Sequence, residues 1–432
     1  MDNPVAMNTN KMYPFLSLSI LLVICQIASA DWPQFRGPNG DGNVAATGLP
    51  THWSETQNIV WKTGIPHRGW STPVIMDGQI WLTTATIDGH DFFVIALDED
   101  TGRIIFNEQF FHADNPEPLG NNLNCYASPS CAIEPGRVYV HFGTYGTACL
   151  DTAKKQTLWK RTDINCRHYR GPGSSVIIYK HLLILTMDGV DVQYMIALDK
   201  LTGKTVWKTD RTANWDDLEP DGKPFDNGDR RKAFATPLII THKGRLQMLT
   251  AGAKAAYAYD PLTGREIWKV AYLGFSGAVS PLYGNDLAYI ASGFGRSELL
   301  AVRPDGNGEV TKTHIVWQTR SHVPQTPSPV LVDDLLFAVT DNGIVTCIDA
   351  LTGEDVWQQR LKGNFAASLL HADDKIYAAD REGTTIVFTP ARQYKLLGEN
   401  KLDDGMMASP VIHNSVLYLR TKTHLYRIQA TL

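Results

Sequence analysis

The sequence predicts an all-β fold, an eight-bladed β-propeller of four-stranded antiparallel blades, and three observations carry that prediction. A motif typified by Ala197-Leu198-Asp199-Lys200-Leu201-Thr202-Gly203-Lys204-Thr205-Val206-Trp207 returns about every fifty residues along the 432-residue chain. A Ser/Thr-Pro pair followed by an apolar run precedes most copies. Between these landmarks lie short β-rich runs separated by Asp, Asn and Gly turns, the pattern of successive hairpins.

Close copies of the motif are Ala96-Leu97-Asp98 with Thr101-Gly102 and Phe106, Ala258-Tyr259-Asp260 with Thr263-Gly264 and Trp268, and Cys347-Ile348-Asp349 with Thr352-Gly353 and Trp357. Weaker copies end at Trp159, Trp317 and Leu397, and an isolated piece ends at Trp61. The upstream signature stands at Thr72-Pro73, Ser128-Pro129, Thr236-Pro237, Ser280-Pro281, Ser328-Pro329 and Ser409-Pro410, with Ser175 and Ser368 holding the same place without proline. One unit shows the physics. Pro329–Val332, Leu335–Val339 and Ile344–Ile348 read as three strands joined by Asp-Asp and Asp-Asn-Gly turns. The Asp-x-x-Thr-Gly link suits a tight hairpin, because Asp bonds the turn backbone and Gly accepts positive φ. The Trp that follows lies on a fourth strand and packs against the neighbouring unit. Repeated four-stranded sheets, none able to bury both faces alone, form propeller blades.

Eight fourth strands are expected, around residues 61, 106, 159, 207, 268, 317, 357 and 397. The last start, Ser409-Pro410, leaves room for only three strands, so Asn58–Lys62 supplies the missing fourth and pairing of the two termini closes the ring. Residues 58–432 therefore read as one propeller, residues 31–57 as an N-terminal segment leading into it, and residues 1–30 as a cleaved signal peptide. The signal assignment rests on a 13-residue apolar run, Phe15–Ile27, preceded by Lys11 and followed by Ala28-Ser29-Ala30. The run is too short for an ordinary membrane span, and no transmembrane anchor is expected. The protein is then periplasmic or extracellular.

Forty basic side chains against 45 acidic ones give a net charge of −5, which argues against a nucleic-acid binder. Export implies an oxidising compartment. Cleavage leaves Cys125, Cys131, Cys149, Cys166 and Cys347, an odd number and no disulfide framework. Cys125–Cys131 and Cys149–Cys166 are near enough in sequence to pair, and buried free thiols are the alternative. No Gly-x-Ser-x-Gly elbow, His-Glu-x-x-His helix or phosphate-cradling glycine loop occurs. The recurrent Asp98, Asp199, Asp260 and Asp349 occupy the same turn of successive units and read as structural.

The recurrent Ala-x-Asp-x-x-Thr-Gly-x-x-x-Trp resembles the pyrroloquinoline quinone (PQQ) repeat, and Asp31-Trp32-Pro33-Gln34-Phe35-Arg36-Gly37 resembles the start of secreted PQQ-like propellers. The resemblance implies either of two functions. Some members are quinone-dependent alcohol or sugar dehydrogenases that use PQQ with calcium; others, including an outer-membrane assembly lipoprotein, bind no quinone. Those dehydrogenases use a vicinal Cys-Cys disulfide, which this sequence lacks, together with long insertions over the cofactor, which it also lacks. A binding or assembly module is therefore the first reading, with a PQQ-dependent oxidoreductase of atypical site the alternative. Its partner is either a small anionic or carbohydrate-like ligand or an envelope protein.

Irregular residues concentrate where an outer strand leads to the next inner strand, on the rim opposite the Asp-x-x-Thr-Gly turns. These connections include Arg68-Gly69-Trp70, Asn122–Tyr126, Arg167–Gly173 and the longest, Asn214–Phe234. Function concentrates in loops on a rigid scaffold. Asn124, His168, Arg170 and Arg231 are expected to converge over the central funnel, with Trp70, Gln325 and Asn364 approaching from neighbouring blades. Guanidinium groups pair bidentately with carboxylates, and Trp70 offers a stacking face.

Overall fold

The computed structural model describes residue 1 and residues 31–430. The signal-peptide assignment, with Cys25, falls outside them. Eight sheets of four antiparallel strands form the ring. Seven blades are contiguous in sequence: residues 74–112, 132–161, 177–210, 238–271, 282–319, 330–360 and 370–401. Blade 8 combines residues 411–428 with Ile59–Gly64, which pairs antiparallel with His424–Ile428. The terminal closure expected from the sequence is therefore present. Among the described residues, no helix is long and apolar enough to cross a membrane.

Each repeated residue has a definite task at a blade interface. The motif Ala faces the motif Trp across the outer pair of strands, as Ala197 does Trp207, and a bulge follows immediately. The bulge increases local twist. It accompanies a Trp that reaches the following blade: Trp159 Nε1 donates to Lys200 O at 3.0 Å and Trp317 Nε1 to Ala350 O at 2.9 Å. Both acceptors directly follow the motif Asp of the next turn. That Asp holds its own turn: Asp199 Oδ1 accepts from the Thr202 N–H at 2.9 Å and the Thr202 hydroxyl at 2.8 Å. The glycine must be glycine for two reasons. Gly203 has φ +72°, and a Cβ there would sit 2.8 Å from the Trp159 ring.

Blade 4 departs from this pattern. Trp268 Nε1 donates to Gln247 Oε1 within its own blade, and Gln247 Nε2 in turn donates to Pro304 O. The link after the third strand of blade 5 lacks the motif turn. It runs outward and lays Gly308–Glu309 parallel against Trp268-Lys269, a fifth strand on blade 4.

Around the axis the Ser/Thr signature forms a belt. The Thr72 N–H donates to Ser130 Oγ at 2.8 Å, Ser130 N–H to Ser175 Oγ at 2.9 Å, and Ser175 N–H to Thr236 Oγ1 at 2.9 Å. The chain of bonds is interrupted between Thr236 and Ser280, whose Oγ is buried without a partner. It resumes with the Ser280, Ser328 and Ser368 N–H groups donating to the next Oγ at 3.0, 3.1 and 3.0 Å, before Ser409 N–H returns to Thr72 Oγ1 at 3.2 Å. Each member stands two residues before its innermost strand. In blade 2 that place belongs to Ser130, which corrects the assignment to Ser128-Pro129. Ser128 lies two residues too early and bonds to Asn124 instead.

Residues 31–57 cross the lower channel. Trp32 exchanges both backbone hydrogen bonds with Ile75 of blade 1, Pro33 O accepts from Ile133 of blade 2, and residues 42–44 bracket His371 of blade 7. Trp32 and Arg36 are buried, and Arg36 Nη2 reaches Pro329 O of blade 6. This segment blocks the channel below the hydroxyl belt before the chain turns outward to complete blade 8.

Candidate functional site, an axial cavity on the loop rim

A cavity of about 500 Å³ opens on the rim carrying the connections from outer to next inner strands. Its floor is the hydroxyl belt, six of whose members line it, together with Phe35 from the blocking segment. Aromatic and apolar wall is supplied by Trp70, Phe234, Phe275, Phe294 and Met407. Among the lining residues only Arg170, Asp229 and Lys232 are charged.

The charged trio is assembled by two loops. Phe225–Arg231 forms a short 3-10 segment broken by left-handed backbone at Asp226, Asn227 and Gly228. Gly228 is required there, because with φ +82° a Cβ would lie 2.1 Å from Val190 O. The turn delivers Asp229 and Lys232 to the cavity wall. Lys232 Nζ donates to Asp229 O at 2.6 Å and also pairs with Asp229 Oδ1. Arg170 Nε approaches the same Oδ1 at 3.3 Å. The Lys232 side chain is nearly inaccessible, and burial lowers its pKa while Asp229 opposes that effect.

Of the seven residues singled out in the sequence, Trp70, Asn124 and Arg170 line the cavity. Trp70 carries the Arg68 guanidinium 4.8 Å from its ring centroid, and its indole N–H is buried without a partner. Asn124 is committed internally: Nδ2 donates to Gly171 O and Pro172 O at 3.2 and 3.0 Å, while Oδ1 accepts the Cys125 N–H at 2.8 Å. It ties its own loop to that of Arg170.

The other four do not join them at the cavity wall, and the expected convergence is corrected to that extent. Arg231 turns to Asp217, with Nε 3.0 Å from Oδ2, and its guanidinium lies 5.5 Å from the Trp215 ring centroid. The acid fourteen residues upstream claims its fork within the loop. His168 is buried, with Nε2 3.2 Å from Cys166 Sγ, and burial lowers its pKa to about 4. Gln325 Nε2 donates to Ser297 Oγ at 3.0 Å, and Asn364 Nδ2 donates to Glu382 Oε1 at 3.0 Å. In each case a nearby acceptor or burial takes the polar group before it reaches the axis.

Sequence reasoning did not select Lys232 and Asp229 from the loop 214–234, nor the belt hydroxyls as cavity lining. The belt had a usable signal, since a hydroxyl at a fixed offset before every inner strand must recur around the axis. The residues do not fit a calcium-assisted quinone site. Calcium takes six to eight oxygen ligands, commonly several carboxylates. Here the one lining carboxylate already serves two cations, and among the described residues no cluster of three His, Cys, Asp or Glu is suited to a metal.

Known proteins bear on this architecture in three ways. A PQQ-repeat family model described as outer membrane protein assembly factor BamB matches residues 148–314 and 252–393, together more than half of the chain. A search of curated proteins finds no match. Among solved structures, a europium-containing methanol dehydrogenase superposes with a TM-score of 0.67 at 11% identity, covering 93% of this chain and 98% of that one. BamB from Moraxella catarrhalis gives 0.58 at 14% identity, covering 86% and 99%. The quinohemoprotein alcohol dehydrogenase from Comamonas testosteroni gives 0.62 at 13%, covering 93% and 81%. At such identities these likenesses show the fold. With the family model spanning most of blades 2 to 7 and the repeat present in the blades themselves, the chain belongs to the PQQ-like β-propeller family.

Proposed function

We propose that this protein is an exported binding module that holds a small anionic or polyhydroxylated ligand in the axial cavity. The observation that carries the reading is the blind cup itself: about 500 Å³, with an aromatic wall, a hydroxyl floor and two cations sharing one carboxylate. Cavities of this size that are mostly apolar with a few convergent polar groups are the common form of small-molecule sites. Asn124 positions the Arg170 loop, and Trp70 offers the stacking face. Export is supported by the apolar run at residues 15–27 with its small-residue end, and by the family model described as an outer-membrane assembly factor.

The oxidoreductase reading stands second. It is favoured by likeness of fold to a methanol dehydrogenase and a quinohemoprotein alcohol dehydrogenase, and opposed by the missing vicinal cysteine pair and the poor fit to calcium. The test is isothermal titration of the purified protein with aromatic acids, sugar acids, neutral sugars and PQQ plus calcium, alongside dye-linked activity. Saturable binding of a small ligand that weakens in Arg170→Ala supports the module. Dye reduction only with PQQ and calcium would replace it with the oxidoreductase.

A further inference from the structure

The charges in the cavity wall allow the ligand class to be narrowed, an inference that rests on the binding-module reading above. Arg170 and Lys232 contribute two positive charges and Asp229 one negative, and no other lining residue is charged. Both cations meet on the same oxygen, Asp229 Oδ1. Among the lining residues the balance is one positive charge in excess, with Asp226 a further acid acting on Lys232 from outside the lining.

The surroundings of the trio are apolar. Phe234 follows Lys232 by two residues, and Phe275 and Phe294 come from the next loops around the rim. The floor is a donor surface. Each belt hydroxyl lining the cavity accepts a backbone N–H from its neighbour, as Ser130 does from Thr72 and Ser175 from Ser130. Among the described residues none of these six oxygens finds a protein acceptor for its own proton. The floor can thus give hydrogen bonds to a ligand, and it offers no charge to balance a second anionic group.

We propose that the cavity takes an organic monocarboxylic acid with a flat apolar body, its carboxylate seated at the accessible Arg170 with the buried Lys232 adding its charge, and any hydroxyl or carbonyl oxygen turned to the belt. A cation finds its only carboxylate engaged. A dicarboxylate places its second charge against phenyl rings and neutral hydroxyls, and burying an unpaired charge is costly. An inorganic anion would leave the aromatic wall uncovered.

The experiment uses intrinsic tryptophan fluorescence and calorimetry on the full chain with three probes of one shape: 4-hydroxybenzoate, 4-hydroxybenzyl alcohol and terephthalate. The expected order is 4-hydroxybenzoate tightest, with each of the others weaker by at least about tenfold, the usual size of a lost charged hydrogen bond. Arg170→Gln and Lys232→Gln should each weaken 4-hydroxybenzoate by a similar factor. Asp229→Asn raises the excess to two positive charges and should shift preference toward terephthalate, an outcome that simple loop damage would not produce. Equal affinity for the alcohol and the acid overturns the charge argument while leaving a small-molecule cavity in place, as does an unchanged preference in a folded Asp229→Asn protein. Failure of all three probes together with sugars and sugar acids overturns the binding-module reading itself.

Discussion

The indole N–H of Trp207 donates to the carbonyl of Pro261, 3.1 Å away, in the turn of the following blade. The same indole lies against Gly264, where an added Cβ would come within 2.5 Å of the ring. One blade's tryptophan is thus seated on the next blade's glycine, and the repeat motif describes an interface rather than a single unit. Trp207→Ala should cost about 3–5 kcal/mol, the range for truncating a buried Trp. Gly264→Ala should also destabilise, since it meets both the ring and φ +72°. Urea unfolding measures both. Asp199→Asn, in an exposed turn, should cost less and leave ligand affinity unchanged.

Closure of the ring supplies a second prediction. Deleting residues 31–64 removes the channel block and the outer strand Ile59–Gly64, and exposes the edge of His424–Ile428. The shortened protein should melt at a much lower temperature, with reduced cooperativity and a tendency to associate through the open edge. A scanning calorimetry trace matching the full propeller would contradict the account of closure.

Acid stability should depend on two buried histidines. Burial lowers His141 to about 3 and His168 to about 4, against an ordinary value of 6.5. Below 6.5 the unfolded chain binds protons that the folded protein does not, so stability is full above 6.5 and falls as pH drops toward 4. His168→Gln should flatten part of that fall. Thermal melts from pH 7 to pH 4 of both proteins check the slope; equal slopes would remove His168 from the explanation.

The thiols offer a chemical check. Cys125, Cys131, Cys149, Cys166 and Cys347 are all free and buried, and burial raises Cys131, Cys149 and Cys347 to about 12. Neither pairing considered from sequence proximity is formed. Native protein should react negligibly with a thiol reagent, all five should react after unfolding, and a reductant should leave the melting temperature unchanged.

Much of the fold was legible because its information is local and repeated. Asp199 with Thr202 and Gly203 specifies a turn within five residues, and the spacing of such turns counts the blades. Blade 4 was less legible, since the strand Gly308–Glu309 comes from a link lacking the motif and pairs back with residues 268–269, about forty positions earlier.

What the sequence by itself determined was the blade count, the closing role of Trp61 and the rim on which irregular loops gather. Those follow from turn chemistry and strand periodicity, which act over a few residues. The tertiary structure alone decided which loop side chains face the axis. Arg170 and Arg231 are alike as sequence, yet Arg170 lines the cavity while Asp217 holds Arg231 within its own loop. A guanidinium goes to the carboxylate its loop brings within reach, and that geometry exists only once the left-handed turn at Asp226, Asn227 and Gly228 has formed against Val190.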